Sequence, residues 1–268
     1  MNEKNFDYLK EQVKYTGFGE GLENDLKEKM QQQEPNFKLY HNAHYGNDIA
    51  VATLNFKKSE QSDMYFFNSY QVNLQKEHGK EIMEQTFYIN KGNNITMKEA
   101  YNLMEGRAVN KDLTNKEGQV YNSWSQFDFK DADSNGNFKL KQYHQNYGYD
   151  LKEAFGKQAM KELNDPKIYE DPDFINSLKK GNLQSVIVMK GDTSTKVYIE
   201  ANPQFKSINV YDANMQRLDQ RQAKGEKQGE VQEQAAKQTK KESQGAAEEG
   251  AEAPKEGQKK RSRQSNSM

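Results

Sequence analysis

The chain has 268 residues, no cysteine, and 39 basic against 40 acidic side chains, a net charge of −1. Without cysteine it forms no disulfide, thiolate nucleophile or Cys-based zinc or iron–sulfur site, and balanced charge gives no whole-chain field to draw in nucleic acid or membrane. With no run of 18 apolar residues and no basic-then-apolar start, the expectation is a cytoplasmic protein that does not contact membrane and carries no cofactor.

Residues 1–34 read as a helical pair: Phe6, Leu9 and Val13 share one face of the first helix, and Leu22, Leu26 and Met30 follow at intervals of four on the second. Between them stands Gly17-Phe-Gly19-Glu-Gly21. A phosphate-binding glycine loop needs a strand before it and a helix after it. Here a polar amphipathic helix precedes it, so a helix–helix turn is expected.

From 35 to 95 the period falls to two, giving an antiparallel β region. Ile49–Phe56 reads as a strand covered on both faces. Met64–Leu74 reads as a second, interrupted near Asn68-Ser69, and Thr86–Ile89 as a third, ended by the turn signal Lys91-Gly92-Asn93-Asn94. His41 and His44, three apart on an edge strand, point to opposite faces and do not suit a shared metal.

Residues 96–165 form the first helix-plus-hairpin unit. Thr96-Met-Lys-Glu99 is a capping box, and Ala100, Leu103 and Met104 give the helix its apolar side. Gly106 is a left-handed stop, and two strands, Gln119–Phe129 and Asn137–Tyr143, are joined through Asn135-Gly136. A helix over Leu151–Leu163 and the breaks Asp165-Pro166 and Asp171-Pro172 lead to a second, degenerate unit over 166–218. Leu178-Lys-Lys-Gly181 matches Leu103-Met-Glu-Gly106 at a constant offset of 75 (178 against 103, 181 against 106), and Val186–Val188, Val197-Tyr198 and Asn209–Tyr211 supply its strands. The repeat predicts two like units sharing one sheet. From 219 to 268 there is no aromatic residue, and Val231 and Met268 alone are sizeable and apolar, so a disordered tail is expected. The tail carries 11 basic and 9 acidic residues, leaving 28 and 31 for the rest. The fold class expected is therefore α+β: a helical pair, an antiparallel sheet, two helix-plus-hairpin units and a disordered tail.

Two constellations invite a chemical reading. Asp131-Ala-Asp133-Ser-Asn135-Gly136-Asn137-Phe138 matches the first eight positions of a calcium loop, but Gln142 stands where the bidentate carboxylate belongs and strands flank it, so a hairpin turn is favoured. The ribbon aromatics Tyr121, Trp124, Phe127, Phe129 and Tyr143 interleave with Lys130, Lys139 and Lys141, a pattern that single-stranded nucleic acid binding uses and that buried cores produce more often. If nucleic acid, DNA or RNA, is the partner, Trp124, Lys139, Lys141 and the tail cluster Lys259, Lys260, Arg261 and Arg263 are the candidate contacts. No catalytic and no metal-binding residue is assigned.

Asn5-Phe-Asp-Tyr-Leu-Lys10, Lys14-Tyr-Thr-Gly-Phe-Gly-Glu20, Glu105-Gly-Arg-Ala-Val-Asn110 and Ala201-Asn-Pro-Gln-Phe205 together resemble an uncharacterised family carried on conjugative and other mobile elements of gut anaerobic bacteria. The helix–Gly–ribbon unit is similar to a domain of unknown function repeated in those proteins and appended to some type I topoisomerases. The resemblance covers most of residues 3–218. It implies a genomic setting and a pull toward DNA, and it transfers no catalytic residue. The resulting expectation is a non-enzymatic accessory or binding protein associated with nucleic acid; the alternative is a protein-interaction adaptor using an exposed sheet edge or the tail.

Overall fold

A computed structural model describes residues 1–90, 93–157, 168–190 and 192–218. The tail with Lys259, Lys260, Arg261 and Arg263, and the second half of the helix expected over Leu151–Leu163, lie outside the described residues. Those described form a mixed α+β fold of five α-helices and three antiparallel sheets.

Helix α1 (Glu3–Val13) starts where the Asn2 side chain accepts a hydrogen bond from the Asn5 N–H. It runs into a π-helical turn over Lys14–Phe18, which Gly17 closes at φ 98°. Helix α2 (Glu23–Gln32) follows directly, so the glycine string joins two helices. The pair then leads into a meander of β1 (Asn36–Tyr45), β2 (Asp48–Lys58), β3 (Tyr65–Gln75) and β4 (Ile82–Tyr88), in that order across the first sheet. The interruption expected near Asn68 is a β-bulge, where the β2–β3 register skips one residue.

Alternation decides which face of this sheet is buried. Phe37, Phe56 and Phe67 stand opposite one another on β1, β2 and β3 and stack at centroid distances of 4.7 and 4.9 Å. Tyr70 and Phe87 form a second rung at 5.2 Å. Phe6, Leu9, Phe18, Leu26 and Met30 from the helices close over these rings in one core. Buried Asn5 carries a polar duty here: its carboxamide donates to the Tyr65 C=O (3.0 Å) and accepts from the Tyr65 N–H (2.7 Å), as a neighbouring strand would. The opposite face of the sheet has no covering layer among the described residues, and its side chains are half-buried to exposed.

Helix α3 (Met97–Met104) has the expected capping box, with Thr96 and Glu99 each bonding the other's backbone N–H. It leads to a second sheet of β5 (Val109–Thr114), β6 (Val120–Ala132) and β7 (Phe138–His144). Helices α4 (Leu151–Lys157) and α5 (Pro172–Lys179) precede a third sheet of β8 (Gln184–Lys190), β9 (Thr193–Asn202) and β10 (Ser207–Tyr211). Two expectations are corrected. In the first unit α3 is followed by three strands where two were expected, because Val109–Thr114, too polar to read as a strand, pairs along β6. The two ribbons also lie in separate three-stranded sheets.

The reason they are separate is visible at the helix ends. Arg107 N–H bonds Asn102 C=O and Gly106 N–H bonds Leu103 C=O; 75 residues on, Asn182 N–H bonds Ser177 C=O and Gly181 N–H bonds Leu178 C=O. Both are Schellman caps, with glycine φ of +81° and +79°. The two segments meet through these caps. The fully buried Asn102 donates to Lys180 C=O (2.7 Å) and Asn182 Oδ1 (2.9 Å) and accepts from Arg107 Nη2 (2.8 Å). A Cβ on Gly181 would lie 3.0 Å from each of Ala108 O, Asn102 Cβ and Val109 Cγ2.

This geometry separates two substitutions that look alike in sequence. Gly106→Ala forces a left-handed residue costing about 1–2 kcal/mol, and its Cβ meets only the edge of the Phe129 ring at 3.3 Å, which has room to move. Gly181→Ala adds to the same strain a clash with fixed backbone worth a further ~1–3 kcal/mol. Urea denaturation is expected to rank Gly181→Ala well below Gly106→Ala, and equal losses would refute the interlock.

The buried tyrosines set an alkaline limit. Burial first, then the hydrogen bond from Tyr101 to Asp48 (2.9 Å), push the Tyr101 phenol up to about 12 from its ordinary 10.0. The folded state thus holds a proton the unfolded chain releases, so stability is full below pH 10 and falls as pH rises from 10 toward 12. Denaturation at stepped alkaline pH is expected to show that decline, and Tyr101→Phe to soften it.

Candidate docking groove

The candidate contacts Trp124, Lys139 and Lys141 do share a face of the ribbon, with Tyr121, Phe127 and Phe129 on the other. Across β6 and β7, Trp124 stands opposite Tyr143, Gln126 opposite Lys141 and Asp128 opposite Lys139. The face is not a basic platform. Trp124 is 6% exposed and meets Tyr149 edge-on at 5.3 Å inside a second core with Leu151, Phe155 and Leu178, so packing leaves no ring face for a base. Lys139 lies 2.9 Å from Asp131, and Lys141 lies 2.7 Å from Asp128, whose carboxyl it holds below the usual range. The loop with the calcium-like spacing is a turn: Asp133 accepts from the Asn135 and Asn137 N–H groups at 2.8 and 2.9 Å, which hold its carboxyl low. His41 packs inward on Phe18 at 5.4 Å, and His44 is exposed on the other face.

Three of the exposed aromatic residues collect elsewhere. Tyr8, Glu11, Gln12 and Tyr15 fall on one helical face at spacings of three and four, and together with Phe66, Phe67, Asn68, Ile89 and Asn94 they line a groove of about 500 Å³. Tyr8, Tyr15 and Phe66 are 64%, 73% and 49% exposed. Large aromatics left in water on one concavity are the composition of an interface anchor. Tyr15 lies in the π-helical turn, and single π turns recur at functional sites.

The floor of the groove is strand edge. Pairing between β3 and β4 ends at Ser69–Tyr88, after which Ile89 N–H bonds Asn68 C=O and the chain leaves the sheet. Tyr65, the first residue of β3, spends its outward N–H and C=O on Asn5. Phe67 lies two residues on and faces the same way. Phe67 as a whole is 3% exposed, so it lines the groove with little accessible surface. Gln12 and Asn68 add carboxamides on either side.

Charge in the groove is simple. Among the described residues Glu11 is its one charged lining residue, and its carboxylate makes no ion pair with any of them. The neighbouring cations are engaged elsewhere: Lys10 with Asp7 and Glu23, and Lys14 with Glu20 at 2.7 Å, a contact that raises Lys14 and lowers Glu20. A larger, shallower groove of about 740 Å³ beside Tyr121 and His144 is lined mostly by amides, of which Asn115 bonds Gln119 and Asn122 bonds Asn110 outside it. It lacks comparable anchors.

Sequence reasoning missed the α1 groove because it followed the buried face, Phe6, Leu9 and Val13. The available signal was two tyrosines, Tyr8 and Tyr15, on the opposite, polar face of an amphipathic helix. No family model, curated protein or solved structure matches the chain. No described helix is long and apolar enough to cross a membrane.

With one tryptophan in the chain, its environment is directly measurable. Trp124 emission is expected to be blue-shifted, poorly quenched by acrylamide and indifferent to added single-stranded DNA. Ready quenching, or a change on adding DNA, would return Trp124 to the surface.

Proposed function

We propose that this chain is a non-catalytic binding protein whose partner docks in the groove between α1 and β3. The single observation that carries this reading is the gathering of three exposed aromatic residues, Tyr8, Tyr15 and Phe66, around one concave strand edge. Burying such rings on a partner contributes more than any polar contact the surface offers, and the unpaired edge adds main-chain hydrogen bonds. The partner is a protein: among the described residues the groove has a carboxylate outside any ion pair and no free cation to meet phosphate.

In this reading the protein is a cytoplasmic accessory factor of a bacterial mobile element, the setting its resemblance implies. The two helix-plus-strand segments, offset by 75 residues in their caps, act as a duplicated support unit. A second reading, association with nucleic acid, draws on that same setting and on Lys38, Tyr40 and Tyr88 along the uncovered face of the first sheet.

The test is affinity purification of the full chain from its native host after exhaustive nuclease treatment, beside a Tyr8→Ala/Phe66→Ala double variant. Both positions are exposed, so the fold is expected to survive. A stoichiometric protein retained by the natural chain and lost by the variant is expected. Recovery that nuclease abolishes, or that ignores the double variant, would overturn the reading.

A further inference from the structure

We infer that the occupant of the α1–β3 groove is an extended peptide segment carrying a lysine or arginine beside apolar side chains. The inference rests on the protein-docking reading above and goes on to name the chemistry of the partner. An extended segment suits a strand edge better than a helix does, because a helix spends its backbone N–H and C=O groups internally while an extended chain has them free to pair. The groove of about 500 Å³ takes the side chains of a few residues. The carboxamides of Gln12 and Asn68, free of hydrogen bonds among the described residues, offer donors and acceptors to a main chain laid along the edge, and a strand supplies N–H and C=O groups to meet both.

The side-chain preference follows from the walls. Tyr8, Tyr15, Phe66 and Ile89 reward apolar groups. Glu11 sets the sign of the charge. Among the described residues it is the only charged lining residue and makes no ion pair, and it lies one helical turn from both tyrosines, whose ring faces also attract cations. A cationic side chain on the peptide meets both; an acidic one meets only repulsion.

The experiment presents the full-length chain, immobilised, to a random linear peptide display library. The best enriched peptides are then measured by fluorescence polarisation against the natural chain, Glu11→Gln, Glu11→Arg and the Tyr8→Ala/Phe66→Ala variant. Enriched peptides are expected to carry a basic residue within two positions of an apolar one. Loss of charge at Glu11, or of the peptide's basic residue, is expected to weaken binding about three- to tenfold, and Glu11→Arg to recover binding when the peptide's basic residue is changed to glutamate. Enrichment without basic residues, binding within twofold in Glu11→Gln, or no enrichment at all overturns the inference. Peptides that ignore Glu11 yet need Tyr8 and Phe66 leave the groove reading standing and remove the basic preference; peptides that ignore all three positions remove both.

Discussion

The carboxamide of Asn102 is the fixed point of this molecule. It lies wholly inside, in the last turn of α3, and its three hydrogen bonds go to its own cap through Arg107 and to the cap of α5 through Lys180 and Asn182. A buried amide left with an empty position costs roughly 1–3 kcal/mol, so this side chain holds both caps in one arrangement. Gly181 makes the approach possible, since any side chain there would displace the main chain of Ala108. The joint is therefore rigid for two independent reasons: a polar one that demands contact and a steric one that tolerates nothing between.

From that joint the two cores diverge. Ala108 packs in the second core and its neighbour Val109 in the first, and on β6 Trp124 and Phe127 divide in the same way. Residues one or three apart on extended chain face opposite sides, so the second sheet serves as a partition with an apolar surface turned to each core. Hydrogen bonds from side chains tie it to the first sheet as well: Asn137 accepts from the Thr86 N–H at 2.8 Å, and Gln85 accepts from the Phe138 N–H at 2.9 Å. These bonds occupy part of the β4 edge that would otherwise invite another strand.

What the sequence made legible were features decided within a few residues. The capping box at Thr96, the glycine stops at 106 and 181, the turn at Asn135-Gly136 and the irregularity at Asn68 are local choices of backbone and side chain, and each lies where the pattern placed it. What stayed hidden was decided across the fold. Val109–Thr114 has a weak strand pattern of its own, and pairing with β6 makes it one. Trp124 interleaves with lysines as a platform would, yet α4 and α5 arrive from later in the chain to cover it. The α1 groove was hidden for a related reason: Tyr8 and Tyr15 become a wall only because β4 departs at Ile89 and bares the β3 edge beside them.

The same contrast bears on how such a surface recognises anything. The residues before the tail carry 28 basic and 31 acidic side chains, and much of that charge is spent in short pairs such as Lys14–Glu20, Lys76–Glu105, Lys111–Glu99 and Lys141–Asp128. Pairs of this kind cancel beyond about a Debye length of 8 Å at physiological salt, so little field steers a partner from afar. Under the proposed reading, recognition comes from contact: apolar rings removed from water and, among the described lining residues, one carboxylate to choose the sign of its neighbour. A surface built this way associates at an ordinary diffusional rate and discriminates through its off-rate. The proposed adaptor would have that kinetic character, whereas an electrostatic collector of nucleic acid would depend on a longer-ranged field.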